Sequence, residues 1–149
     1  MAPLRLSRVP SVAVEILRLK GAKGNAKRAD RSTSEGLVAA RELPGQVTII
    51  ELACETDFVA KNDRFIALAD KVADAAAAVG AENAEAALAA AAGSGTIEDL
   101  INDEAAIIGE KVELRRVRTL KGEHFAVYLH KTSKDLPPQI GVVVAYSGD

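Results

Sequence analysis

The stretch VTIIELACETDFVAKNDRFIALADKVADAAAAVG, residues 47–80, contains the change of hydrophobic period that decides the fold. Its first seven residues are rich in β-branched side chains and predict a buried strand that leads into Cys54. From Phe65 to Val79 the apolar residues recur at helical spacing, which predicts a helix with one apolar face that ends near Gly80. A strand followed by an amphipathic helix indicates a sheet with a helix packed on it.

The helix that follows this strand has two candidate starts. Thr56 could cap it with Asp57 in the first turn, or Asn62 could cap it, again with an aspartate in the first turn. We favour Asn62, which leaves residues 55–62 as a protruding loop with Phe58 at or near its tip. In the alternative, Asp57 caps a helix and Phe58 packs inward, and the spacing alone leaves both open.

A second helical region follows the first. Residues 81–92 are dominated by Ala and predict a helical stretch that a Gly-Ser-Gly sequence closes. Thr96, with Asp99 three residues later, resembles a capping box at the start of a second amphipathic helix. Its apolar stripe ends at Gly109, the expected C-terminal cap.

The remaining chain has the spacing of strands. Pro44-Gly45 is a turn signal before the strand at 47–53, and Lys121-Gly122 is a turn signal near the C-terminal end. An antiparallel meander is predicted from three further segments, residues 112–120, 124–130 and 140–148. The predicted fold class is α+β, with an antiparallel sheet of three to four strands and helices packed on one face. A short N-terminal helix at residues 12–20 and a linker precede it.

Composition limits the chain to one compact domain. It has 149 residues, of which 48% are hydrophobic and only 3% aromatic, so large side chains are few. We expect Phe65 inside the core. The single Cys54 excludes an internal disulfide and favours a reducing, cytoplasmic setting. No run approaches the roughly 18 apolar residues that span a bilayer, so no membrane partner is expected.

The net charge of −2 conceals an uneven distribution of charge. Residues 1–41 carry nine basic and three acidic side chains, whereas residues 42–110 carry three basic and fourteen acidic ones. A basic arm at residues 18–31 raises the possibility of nucleic-acid binding. The acidic middle would oppose a polyanion, and a solvated helix and linker explain the basic residues more simply.

Side chains suited to catalysis are scarce. His124 and His130 lie on one predicted strand, six residues apart, which separates them by about 20 Å and prevents them from sharing a metal ion. The segment GAKGNAKR at 21–28 lacks the Walker A spacing for nucleotide binding. The sequence therefore predicts no enzyme, cofactor or metal site, and directs attention to protein binding through residues 55–62, where an aromatic stands beside a carboxylate.

The string CETDFVAKN at 54–62 closely resembles the signature of the elongation factor Ts family, the guanine-nucleotide exchange factors of elongation factor Tu. Other stretches agree with the family in order: AVEILRLKGAKGNAKRADR (13–31), EGLVAA (35–40), IGEKVELRR (108–116), YLH (128–130) and IGVVV (140–144). The resemblance implies three regions. Residues 1–11 are an atypical extension expected to be disordered, 12–34 hold the last helix of a UBA-like N-terminal module with a basic linker, and 35–149 form the first core subdomain.

The resemblance also implies a site and a partner. In family members the Asp-Phe pair enters elongation factor Tu beside its magnesium and phosphate site and promotes release of GDP. The residues implied to contact the partner are Thr56, Asp57, Phe58, Val59, Ile108, Gly109 and His130. This role places Phe58 outside the core. A second core subdomain and a coiled-coil insertion are missing at one end and most of the N-terminal module at the other, so we expect weakened binding. The alternatives are a binding module for elongation factor Tu that does not promote exchange and a nucleic-acid-binding protein.

Overall fold

The structure is a computed structural model that describes residues 30–147. The predicted extension at 1–11, the predicted helix at 12–20 and most of the linker lie outside the described residues. The elements, in chain order, are β1 Glu35–Leu43, β2 Gln46–Cys54, α1 Asp57–Ala60, α2 Asp63–Val79, α3 Ala84–Leu88, β3 Ala91–Ala92, β4 Gly95–Thr96, α4 Ile97–Ile108, β5 Glu113–Lys121, β6 His124–His130 and β7 Ile140–Tyr146.

An antiparallel sheet of three strands, in the order β1-β2-β5, forms the centre of the fold. β1 and β2 make a hairpin through the predicted Pro44-Gly45 turn, and Glu35 pairs with Cys54 at its open end. β5 pairs with the other edge of β2, with a bulge between Glu51 and Leu52. This arrangement, with the helices described below, confirms the predicted α+β class.

The helices cover one face of this sheet. α2 begins at Asn62, whose side chain accepts a hydrogen bond from the Arg64 backbone N–H, and it ends at Gly80 in the left-handed conformation. α4 begins with the predicted capping box at Thr96 and ends at Gly109, also left-handed. The large side chains of α2 that point to the sheet, Phe65, Leu68 and Val72, are fully buried together with Ile50 and Leu52 of β2.

Two expectations about the later elements are corrected. The Ala-rich stretch forms only a short helix, α3, because Asn83 caps it late and the chain then turns through Gly93 between the small strands β3 and β4. The predicted meander is correct only for its last two strands. β5 pairs with β2, whereas β6 pairs with β7 in a separate two-stranded ribbon.

The ribbon of β6 and β7 packs on the side of the sheet opposite the helices. Val38 and Ile49 alternate with the residues that face α2, and both lie against Gly141 of β7. The backbone N–H of Val38 also donates to the carbonyl oxygen of Pro138, 2.8 Å away. The ribbon therefore covers the part of the sheet's second face where Val38 is buried and Ile49 is half-buried. Its outer face exposes five large apolar side chains, Tyr128, Ile140, Val142, Val144 and Tyr146.

Gly36 provides a test of the register between β1 and β2. Its φ is +147°, and a Cβ there would overlap the carbonyl oxygen of Leu52. Gly45 in the hairpin turn has a φ of +79° but open space around it. We expect Gly36→Ala to lower the free energy of unfolding by about 3 kcal/mol, since overpacking adds to backbone strain.

The matched control is Gly45→Ala, which introduces strain without a clash. It should lower the free energy of unfolding by about 1 kcal/mol. Urea denaturation of both variants measures the difference. Equal losses would contradict the close approach of Gly36 to β2.

Candidate functional site

The segment between β2 and α2 is helical at its start, which corrects the predicted loop. Thr56 caps α1, a single turn, and its hydroxyl oxygen accepts a hydrogen bond from the Val59 backbone N–H at 3.3 Å. Asn62 then caps α2. Thr56 and Asn62 therefore both cap a helix. They lie six positions apart, which leaves room for one short helix before the long one.

The two faces of α1 have opposite environments. Ala60 is fully buried and Val59 packs against the core. Asp57 is exposed, and Phe58 is 72% exposed with the ammonium of Lys61 5.3 Å from its ring centroid. The expectation that Phe58 lies outside the core is confirmed, and the alternative in which it packs inward is wrong. An aromatic and a carboxylate thus project side by side from an anchored turn.

The carboxylate of Glu110, which sequence reasoning missed, fixes this turn. One of its oxygens, Oε1, accepts from the backbone N–H groups of Glu55 and Thr56, each at 3.1 Å. The other, Oε2, accepts from the Thr56 hydroxyl at 2.7 Å. An acidic residue directly after the Gly109 cap was the available signal, although its partners lie more than fifty positions earlier in the sequence.

Another hydrogen bond runs from the segment after α4 back to Glu55. The backbone N–H of Lys111 donates to the carboxylate of Glu55 at 2.7 Å, and Arg31 contacts the same carboxylate at 3.3 Å. Glu55 and Glu110 therefore each bind the backbone of the other's segment. We call this arrangement, made by Glu55, Thr56, Glu110 and Lys111, the clasp. It joins the end of β2 to the end of α4.

The clasp places Ile108 and Gly109 beside α1. Ile108 is partly buried against the core, and Gly109 is exposed with a φ of +83°. Four residues of α1 and its cap, Thr56 to Val59, thus share one corner of the molecule with the end of α4. The structure brings these six predicted site residues together.

His130 lies on the ribbon, in a different layer. Its Nδ1 is 2.7 Å from the Tyr128 hydroxyl, and it pairs with Ile140 across the ribbon. Ile140 and Glu35 line one cleft, and Glu35 pairs with Cys54 immediately before the clasp. His130 is therefore at the same end of the sheet as α1.

Cys54 lies beneath the clasp. Its side chain is fully buried, and its Sγ donates to the carbonyl oxygen of Thr56 at 3.3 Å. Burial, followed by the negative charge of Glu110, raises the pKa of Cys54 to about 12. The thiol therefore stays neutral and acts as a small packed side chain.

The residues that the structure describes include a surface suited to protein binding. Among residues 30–147, no three His, Cys, Asp or Glu side chains gather in a way that could hold a metal ion. Within the same range no helix has the length and apolar character needed to cross a membrane. The exposed aromatic, its neighbouring carboxylate and the rigid support beneath them are typical of a protein-binding surface.

Comparisons with known proteins identify chains of similar sequence. The family model for elongation factor TS matches residues 55–149. A protein named elongation factor Ts from Leifsonia xyli subsp. xyli is 71% identical over 138 residues, which are 92% of this chain and 50% of that protein. Proteins of the same name from Clavibacter sepedonicus and Tropheryma whipplei are 68% and 54% identical over 136 residues. The chain spans about half the length of the curated relatives it matches.

The raised pKa of Cys54 has a measurable consequence. An unfolded thiol loses its proton near pH 8.5, whereas the folded thiol keeps its proton to about pH 12, so rising pH favours unfolding between these values. Relative to Cys54→Ala, the free energy of unfolding should fall by about 1 kcal/mol more from pH 8.5 to 9.5.

Denaturation curves of both proteins at the two pH values give this difference. A thiol reagent at pH 8 should react with the unfolded chain and barely with the folded one. Rapid reaction of the folded protein would contradict the burial of Cys54.

Proposed function

The chain belongs to the elongation factor Ts family, and on that premise we propose that it is a guanine-nucleotide exchange factor. Its partner is elongation factor Tu, from which it promotes the release of GDP. The observation that carries this proposal is the exposure of Phe58, beside Asp57, on a turn that the core and the clasp hold in place. We place this activity in the cytoplasm.

Phe58 supports the proposal because its exposure has no benefit for the isolated chain. The sequence contains only three Phe, two Tyr and no Trp, and Phe65 fills the core while Phe58 remains in solvent. Aromatic side chains dominate the energetics of protein interfaces when they enter a pocket on the partner. Phe58 therefore acts as an anchor, and Asp57 supplies a negative charge next to it.

Exchange by such a surface requires no acid or base chemistry. If Asp57 and Phe58 enter the GTPase near its nucleotide, they weaken nucleotide binding by the same factor by which nucleotide weakens binding of the exchange factor. A magnesium ion that bridges phosphate and protein is the largest local charge at such a site, so disturbing its surroundings lowers the barrier to release of GDP.

The remaining predicted contacts flank this anchor. Thr56 and Val59 belong to the cap and body of α1, and Ile108 and Gly109 present the end of α4 next to it. His130 extends the surface onto the ribbon.

We expect Asp57→Ala with Phe58→Ala to abolish most of the acceleration of GDP release. Truncation of an interface anchor costs about 2 kcal/mol or more, which corresponds to at least tenfold. The measurement is release of a fluorescent GDP analogue from elongation factor Tu, with the second-order rate constant taken from its dependence on the concentration of this chain.

The matched control is Leu43→Ala, which truncates another exposed apolar residue at the hairpin end of the sheet, away from α1. It should leave the rate unchanged. No acceleration by the unaltered chain at high concentration would refute exchange. Capture of elongation factor Tu without GDP release would instead identify a binding module that does not promote exchange.

A further inference from the structure

The single turn α1 is too short to be stable by itself. It contains four residues, and isolated helices shorter than about 12 residues are marginal in water. Its orientation must therefore come from contacts with the rest of the molecule. Ala60 and Val59 supply apolar contacts on one side, and the clasp supplies polar ones at the start of the turn.

The Thr56 hydroxyl is the link between Glu110 and the turn. A hydroxyl has one proton to donate and two lone pairs that accept. Here the proton is donated to Oε2 of Glu110 at 2.7 Å, and a lone pair accepts from the Val59 backbone N–H at 3.3 Å. Glu110 therefore sets the rotation of the hydroxyl that caps α1.

Glu110 also fixes the backbone on which α1 begins. Its Oε1 accepts from two successive backbone N–H groups, Glu55 and Thr56, and so holds the chain as it leaves β2. Hydrogen bonds to an ionised carboxylate are stronger than bonds between neutral groups. Three such bonds converge on one side chain, and that side chain follows directly after Gly109.

We propose that Glu110 is a positioning residue for the partner-binding surface. It orients Asp57 and Phe58 through the Thr56 cap, and it makes α1 and the end of α4 one rigid unit. This inference rests on the proposed exchange function and adds a role for a residue that itself points inward to the clasp. Its contribution is to remove the ordering cost that a mobile α1 would add to binding.

Glu110→Gln tests the proposal with little change of shape. The amide keeps one acceptor oxygen but replaces the other with a donor, so the Thr56 hydroxyl can no longer donate to that position. We expect the second-order rate constant for GDP release to fall about tenfold, the size expected for loss of a charged hydrogen bond. Glu110→Ala should reduce the rate constant further.

The control for a general loss of stability is Thr48→Val. Thr48 is fully buried near the hairpin end of β2, far from α1 along the sheet, and its hydroxyl lies 2.7 Å from that of Thr119. Thr48→Val should destabilise the fold while the rate constant for GDP release stays unchanged. Denaturation curves of both variants allow comparison at matched stability.

The decisive readout is a double-mutant cycle with Phe58→Ala. A residue that acts by orienting Phe58 has less effect once that ring is removed, so Glu110→Gln should reduce the rate constant by about threefold or less in that background. Amide hydrogen exchange supplies a second readout. The Glu55 and Thr56 N–H groups should exchange faster in Glu110→Gln, because a neutral amide oxygen accepts more weakly than a carboxylate, and not in Thr48→Val.

The outcomes separate the two proposals. An inactive unaltered chain refutes the exchange function and the positioning role together. Exchange by the unaltered chain with an unchanged rate constant in Glu110→Gln overturns the positioning role alone. Equal losses with and without Phe58 also overturn it, because they would show that Glu110 acts independently of the ring.

Discussion

Close packing of α2 on the three-stranded sheet is the contact on which the rest of the structure depends. The helix presents Phe65, Leu68 and Val72 to the sheet, with buried alanines between them. Small residues let the helix backbone approach closely, so a chain with few aromatics still fills its interior. Because the core needs only one large aromatic from this region, Phe58 is left for another role. The position of α2 also determines the path that the chain must take from the end of β2 to the start of the helix.

That geometry confines α1 to a short span between two fixed points. β2 ends at Cys54 and α2 begins at Asp63, so the intervening residues must cross from the sheet to the helix layer. Ala60 fills the gap on the core side, and the clasp holds the other side. The surface side chains of α1 thus have a defined direction although they make few contacts of their own. Rigidity in this corner comes from buried Ala60 and the half-buried clasp rather than from the exposed Asp57 and Phe58.

Local signals in the sequence predicted much of the fold and less of the site. Caps act within a few residues, so Asn62, Thr96 and Gly109 mark helix ends correctly. Strand pairing depends on distant partners, which is why the pairing of β5 with β2 and the separate ribbon were not predicted. Alanine has high helix propensity and carries no stop signal, which explains the overlong helix expected at 81–92. The family motif identified Phe58, whereas the role of Glu110 depends on partners more than fifty positions away, which only the folded chain brings to it.

The arrangement of the site follows from the scarcity of large side chains. An interface with many aromatic anchors tolerates some mobility, since each anchor contributes its own binding energy. A surface with a single exposed phenylalanine on its α1 turn has no such reserve, and any entropy lost by ordering that turn on binding subtracts directly from affinity. Fixing the orientation of α1 before binding therefore contributes more to affinity here than it would on a surface rich in aromatic residues. The three half-buried hydrogen bonds on Glu110 hold the start of the turn and leave the side chains of Asp57 and Phe58 exposed.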